Sequence, residues 1–151
     1  MVERMVGGGD PPPDPERLLI VARFEDGRFL LVRDGEELPA RLPNVRQAGP
    51  SDAAGEATRD ALELGLGLSV LGEPRLAGER LPVREREGRY GRSGPCWLRG
   101  AAARVEGKPQ PQPPIEAALL LPLEEATNAL GTSRERVLLR ACAALLEPAS
   151  P

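Results

Sequence analysis

Histidine is absent from this 151-residue chain. That absence removes His-based triads, imidazole metal ligands and histidine acid–base chemistry from the functions open to it. Cysteine is nearly as scarce. Cys96 and Cys142 stand alone and far apart, which suits neither a disulfide framework nor a zinc site. Aromatic residues amount to 3% against 40% hydrophobic residues, so the core must be built from Leu, Val and Ala rather than from rings. Lysine occurs once, at Lys108, and the positive charge is otherwise carried by Arg, the better fork for phosphate oxygens. A net charge of −3 gives no global field towards nucleic acid or a membrane surface. No apolar run approaches the ~18 residues of a membrane helix. The opening MVERMVGGGDPPPDPE also lacks the apolar core of a signal peptide. A reducing, cytoplasmic setting is the resulting expectation.

What is present suits one domain with a core of its own. Residues 1–16, rich in Gly and Pro, are expected to be loose or disordered, residues 17–147 to form the domain, and 148–151 to be a tail. Two apolar runs, Leu18–Phe24 and Phe29–Arg33, flank Asp26-Gly27, a strong hairpin signal. A short extended piece interrupted by proline, Glu37–Pro43, follows.

From Asp52 to Leu64 the composition is helical, with Ser51 as the expected N-cap and Asp52 in the positive first turn. Ala54, Ala57, Ala61 and Leu64 fall at helical spacings and predict a narrow apolar stripe, with Gly65 and Gly67 as the stop. Leu68–Leu71, Arg80–Arg84 and Cys96–Val105 read as strands, and Glu85–Gly94 as a polar loop. The proline-rich stretch 107–114 is a connector that cannot be a central strand. Beyond it, Pro122 separates an expected strand from a short helix. Thr132 and Glu135 have capping-box spacing for a last helix over Arg134–Glu147, with Val137, Leu138, Ala141, Cys142, Leu145 and Leu146 as its buried side. Strands with an embedded and a terminal helix predict an α+β class.

The stretch Leu42–Val70, LPNVRQAGPSDAAGEATRDALELGLGLSV, resembles the motif LPGGxxExGExxxxAAxREUxEExGU of the Nudix (MutT-type) family, where U is aliphatic. Leu42-Pro43 match its start, Arg59 the Arg of the REUxEE core, Asp60 the first acid and Glu63 the first of the acid pair. Leu119-Leu120-Leu121-Pro122-Leu123-Glu124-Glu125-Ala126 is similar to a later strand-to-helix step of that family. The box is degenerate. Asn44 and Val45 replace both glycines, Ser51 a Glu, Leu64 the second Glu of the pair, and Leu66 the final Gly.

The resemblance implies a Nudix-like α/β/α sandwich around a mixed β-sheet. It also implies a Mg²⁺- or Mn²⁺-dependent hydrolase of nucleoside diphosphate-linked compounds, in which clustered carboxylates hold metal against a pyrophosphate. Asp60 and Glu63 occupy family ligand positions. Glu56 lies at i, with Asp60 at i+4 and Glu63 at i+7, on one helix face, and Glu116 or Glu124 are outside contributors. Two readings stay open: a hydrolase whose weakened metal site uses Glu56, Asp60, Glu63 and Glu116, or a catalytically inactive module that binds a nucleotide-like ligand or a protein partner. The expected partners are a nucleotide-like small molecule and, as the default for a small domain, a second copy in a homodimer, with no nucleic acid and no membrane.

Secondary candidates have plainer alternatives. The arginines between Arg75 and Arg104 could clamp phosphate or sit in a solvated loop. Tyr90 or Trp97 could stack on a base, although Trp97 in an apolar strand is more often core. Cys96 would be a nucleophile only with an activating partner.

Overall fold

The computed structural model describes residues 16–47, 53–83 and 96–147. Residues 1–15 of the stretch expected to be loose, Glu85–Gly94 with Tyr90, the positions Ser51 and Asp52, and residues 148–151 lie outside the described residues, while Glu16 opens the first strand. Chain order is β1 (Glu16–Phe24), β2 (Phe29–Arg33), β3 (Asn44–Gln47), α1 (Ala54–Leu66), β4 (Ser69–Val83), β5 (Cys96–Glu106), β6 (Ala117–Leu121), α2 (Leu123–Ala129) and α3 (Ser133–Leu146).

The Asp-Gly hairpin forms as its sequence predicts. Gly27 takes φ +90°, and its N–H donates to Phe24 O at 2.9 Å. The Asp26 carboxylate accepts Arg28 N–H and Nε at 3.1 and 2.7 Å, closing the turn. The sheet runs β4-β5-β1-β2-β6, with β3 paired to β1 beside that path. β1 and β5 are parallel from Glu16↔Trp97 to Phe24↔Val105, while the other pairs are antiparallel. The second edge of β1 is shared. Its first residues hold β3, and its end holds β2 through Arg23↔Phe29.

Alternation along β1 and β5 sends side chains to two helix layers. Leu19, Val21, Leu98 and Ala102 pack with Ala126 of α2 and with Leu138 and Cys142 of α3. Ile20, Ala22, Ala103 and Val105 pack with Leu62 and Leu66 of α1. The α/β/α sandwich around a mixed sheet, and with it the α+β class, is therefore present. Small residues on β5 let α3 come close: a Cβ placed on Gly100 would collide with Cys142 Sγ. No described helix is long and apolar enough to cross a membrane.

Several expectations are corrected. The N-cap of α1 is Ala53, which makes no side-chain cap bond, rather than Ser51. The buried stripe of α1 is Ala54, Thr58, Leu62 and Leu66. Ala57 and Ala61 are only half-buried, and Leu64 is 77% exposed. Burying Leu62 and Leu66 removes more apolar area from water than burying two alanines would. The Thr58 hydroxyl can join them because it donates to Ala54 O at 2.8 Å. Gly65 stays helical, and Gly67 at φ +71° ends the helix, its N–H donating to Glu63 O at 3.1 Å.

β4 is one strand of 15 residues rather than two pieces. Register shifts between Leu71/Arg75 and Leu76/Arg80 absorb Gly72, Pro74 and Gly78, which an edge strand tolerates. In α3 the buried set includes Leu139 and Ala143 in place of Val137 and Ala141, because this helix packs on α2 as well as on the sheet. Finally, Trp97 is half-buried rather than core, with Arg80 Cζ 4.5 Å above its ring.

Candidate functional site

The helix that carries the acids is held at its C-terminal end. Gln110 N–H donates to Leu66 O at 2.8 Å, so the proline-rich connector closes over the last turn of α1. Leu68 N–H returns to Leu62 O at 3.1 Å. This turn feeds directly into β4, and the side chains at the family's core positions use it.

Arg59 and Glu63 form the expected i,i+4 pair, with Nη1 to Oε2 at 3.8 Å. Both have stronger commitments. Glu63 Oε2 accepts the N–H of Val70 at 3.1 Å, fastening α1 to the first residues of β4. Arg59 Nη2 donates to Gly72 O at 2.8 Å and lies 3.9 Å from Glu73 Oε2. Gly72 can present its carbonyl there because it adopts φ +73° at the first register shift. The pair thus ties α1 to β4, a structural use that matching motif positions alone did not reveal.

Asp60 and Glu56 are exposed on α1, and Leu64 stands outward one turn beyond Asp60. Glu116 lies elsewhere. Its N–H donates to Arg33 O at 2.8 Å at the entrance to β6, the far edge of the sheet. Glu124 is exposed in the first turn of α2. α1 packs on β1, β3, β4 and β5, whereas Glu124 is carried by α2 on the opposite face of the sheet and Glu116 precedes β6 at the far end of the sheet path. Among the described residues no three acids converge on a point that could hold a metal ion. Hard divalent cations need several oxygens around one centre. The donor set Glu56, Asp60, Glu63 and Glu116, with one Glu63 oxygen already accepting Val70, does not fit a multi-metal cage.

The residues replacing the family's two glycines build structure instead. Asn44 and Val45 lie in β3; Asn44 Oδ1 accepts Arg17 Nη1 at 2.8 Å, and Val45 packs against the α1-side core. Several arginines of the middle third are likewise spent on carbonyls. Arg99 Nε donates to Ala77 O at 2.9 Å. Arg75 Nη1 and Arg104 Nη2 donate to Leu145 O and Leu146 O at 3.0 and 2.6 Å. They satisfy the C-terminal carbonyls of α3, whose last turn has no basic residue of its own. Arg84, Arg86, Arg89 and Arg92 lie outside the described residues.

On the α1 side of the sheet, Arg80 and Arg99 face each other in register, and Trp97 pairs with Pro82 beside them. A cavity of about 140 Å³ opens elsewhere, lined by Arg23, Phe24, Glu25, Leu71, Arg104 and Val105, and it includes none of the α1 acids. Burial pushes the Cys142 thiol up to about 12, which makes it inert. Cys96 heads β5, and its side chain lies outside the described residues.

Glu135 escaped the sequence reading except as a capping partner. It is fully buried, accepting Leu42 N–H at 2.8 Å and the Thr132 hydroxyl at 3.0 Å. The Thr-x-x-Glu spacing was the available signal, but nothing in it announced the long-range contact.

No family model matches this sequence, and no curated protein matches it. Solved structures do. A Nudix hydrolase candidate from Listeria monocytogenes superposes with a TM-score of 0.68 at 10% identity, covering 88% of this chain and 94% of that one. A MutT protein from Bacillus halodurans gives 0.65 at 16%, covering 85% and 82%. An Ap4A hydrolase from C. elegans gives 0.60 at 16%, covering 87% and 97%. At these identities the likeness establishes the fold.

Proposed function

From the Nudix fold that this chain has, we propose a module that binds a nucleotide-like, phosphorylated small molecule without turning it over. The observation that carries this reading is the state of the family's acid pair. Glu63 is drawn onto Val70 N–H and Arg59, and its neighbour is the outward-facing Leu64. The helix that would gather metal instead fastens α1 to β4. A feature suited to a ligand remains on the α1 side of the sheet. Arg80, held against the Trp97 ring, carries a guanidinium suited to phosphate oxygens. Fold alone does not bring catalysis with it.

A second reading is favoured by the exposure of Glu56 and Asp60 one turn apart on α1. In it, the chain is a hydrolase of nucleoside diphosphate-linked compounds working with one weakly held Mg²⁺ or Mn²⁺. When bound, that ion would polarise a phosphoryl oxygen, and Asp60, Glu56 and Glu63 would be the residues to hold it. Purified protein assayed with Mg²⁺ or Mn²⁺ against a panel of nucleotides and nucleotide sugars separates the two. The binding reading expects thermal protection by a nucleotide without release of phosphate. Metal-dependent turnover abolished by Glu63→Gln overturns it in favour of the hydrolase.

A further inference from the structure

The two ends of the main sheet path are built differently. β4 has Gly72, Pro74, Gly78 and Pro82 within it, two register shifts, and charged side chains at Glu73, Arg75 and Arg80. Such features keep an edge strand from pairing with another chain. β6 has none of them. Its five residues, Ala117-Ala118-Leu119-Leu120-Leu121, are uncharged, free of Gly and Pro, and in unbroken register with β2 from Arg33↔Ala117 to Phe29↔Leu121. All five side chains are half-buried. Leu119 and Leu121 lean on the α2/α3-side core, and Ala118 and Leu120 on the α1-side core. Among the described residues no strand pairs with β6 on its outer side. An edge that is apolar, regular and open calls for a strand.

We infer that β6 pairs antiparallel with β6 of a second copy of this chain, joining two sheets into one across a two-fold axis normal to the sheet. Residue pattern selects this occupant and its register. Such an axis keeps each face of the sheet on its own side, so opposed residues must share a face. The axis must therefore pass through a residue rather than between two. Centred on Leu119, it opposes Leu119 with Leu119, Ala118 with Leu120 and Ala117 with Leu121. One step further out, Glu116 meets Pro122 and Ile115 meets Leu123. Every pair within the strand is apolar, and no charge opposes a like charge. Centring on Leu120 would set Glu116 against Glu124, and centring on Ala118 would set Glu116 against Leu120. The Leu119 register alone avoids both. A partner of different sequence would have no such reason to match these flanks.

The test uses the whole chain. Analytical ultracentrifugation from micromolar to millimolar protein should carry the apparent mass from the 16.2 kDa of the monomer towards twice that value. Amide exchange in β6 of the unsubstituted chain should slow over the same range. In a Cys96→Ser background, Leu119→Cys places two thiols on opposed residues about 4.5–5.5 Å apart at Cα, within disulfide reach. Ala117→Cys places them four residues apart along the strand, about 13 Å, and out of reach. Oxidation should therefore give a covalent dimer for Leu119→Cys and none for Ala117→Cys. A mass that stays at the monomer with unchanged β6 exchange overturns the proposal. So does a dimer that cross-links at both positions alike or at neither.

Discussion

Glu135 Oε1 accepts the backbone N–H of Leu42 at 2.8 Å, across 93 residues of chain. The terminal helix therefore fixes the position from which the chain leaves towards β3. Glu135 Oε2 meanwhile takes the Thr132 hydroxyl at 3.0 Å, and Thr132 Oγ1 accepts Glu135 N–H at 3.2 Å, so one buried carboxylate caps a helix and pins a loop. Replacing it by Glu135→Ala strands the Leu42 N–H in a residue with no exposed surface. A buried donor left without its acceptor costs about 1–3 kcal/mol. Denaturant unfolding should show a loss of that size, and Glu135→Gln, which keeps an acceptor, should lose less. Equal losses for the two would mean that an amide oxygen cannot stand in for the carboxylate at Leu42 N–H.

The closeness of α3 to β5 gives a paired prediction. Gly100→Ala places a methyl against Cys142 Sγ, and overpacking of that kind costs about 1–3 kcal/mol. Cys142→Ala withdraws the sulfur and should be the milder change alone. Together the two should cost less than their separate effects added, because the second makes room for the first. Additive losses in urea melts would place the strain somewhere other than this contact.

The hairpin, the last two helices and the break at Pro122 were legible because each has a local cause: Asp26-Gly27, the Thr132–Glu135 box, a proline after an apolar run. The i,i+4 pair was legible too, since Arg59 and Glu63 do form the contact their spacing allows. What the spacing could not tell was which side of α1 faces the sheet. Ala54-Ala57-Ala61-Leu64 and Ala54-Thr58-Leu62-Leu66 are both helical stripes. The choice falls to the larger buried area of two leucines and to a threonine that satisfies its own hydroxyl within the helix. The site reading suffered most from this, for the same rotation puts Leu64 outward beside Asp60. Glu63's bond to Val70 is likewise tertiary, made only because Gly67 turns the chain straight into β4.

Alkali should probe the core beneath α3. Burial raises the Cys142 thiol from 9.0 to about 12 in the folded protein. Between those values the unfolded chain releases this proton and the folded chain keeps it, so unfolding becomes easier as pH rises. Stability contributed by the neutral thiol is whole below about 9 and is lost progressively towards 12. Cys142→Ala should therefore unfold with a shallower decline than the parent across that window. Identical pH slopes would show that the thiol titrates alike in both states. A thiol reagent at neutral pH should modify Cys142 only as fast as the protein opens.

Leu64 offers the most direct way to ask what the family's acid pair would do here. It is 77% exposed, so Leu64→Glu removes little packing and should change stability by no more than about 0.5 kcal/mol. It sets a carboxylate one turn from Asp60, where two like charges repel by a few tenths of a kcal/mol until a cation lies between them. Mn²⁺ binding, followed by isothermal titration, should tighten about tenfold, equivalent to about 1.4 kcal/mol. Asp60→Asn in the same background should return it to the parent value. Adding Ser51→Glu supplies the other acid that the motif lacks, and metal-dependent release of phosphate from a nucleoside diphosphate compound would then show that missing ligands alone kept the fold from hydrolysis. If Mn²⁺ affinity stays at the parent level in Leu64→Glu, the outward face of α1 is no latent metal site, and Glu63 serves solely to hold α1 against β4.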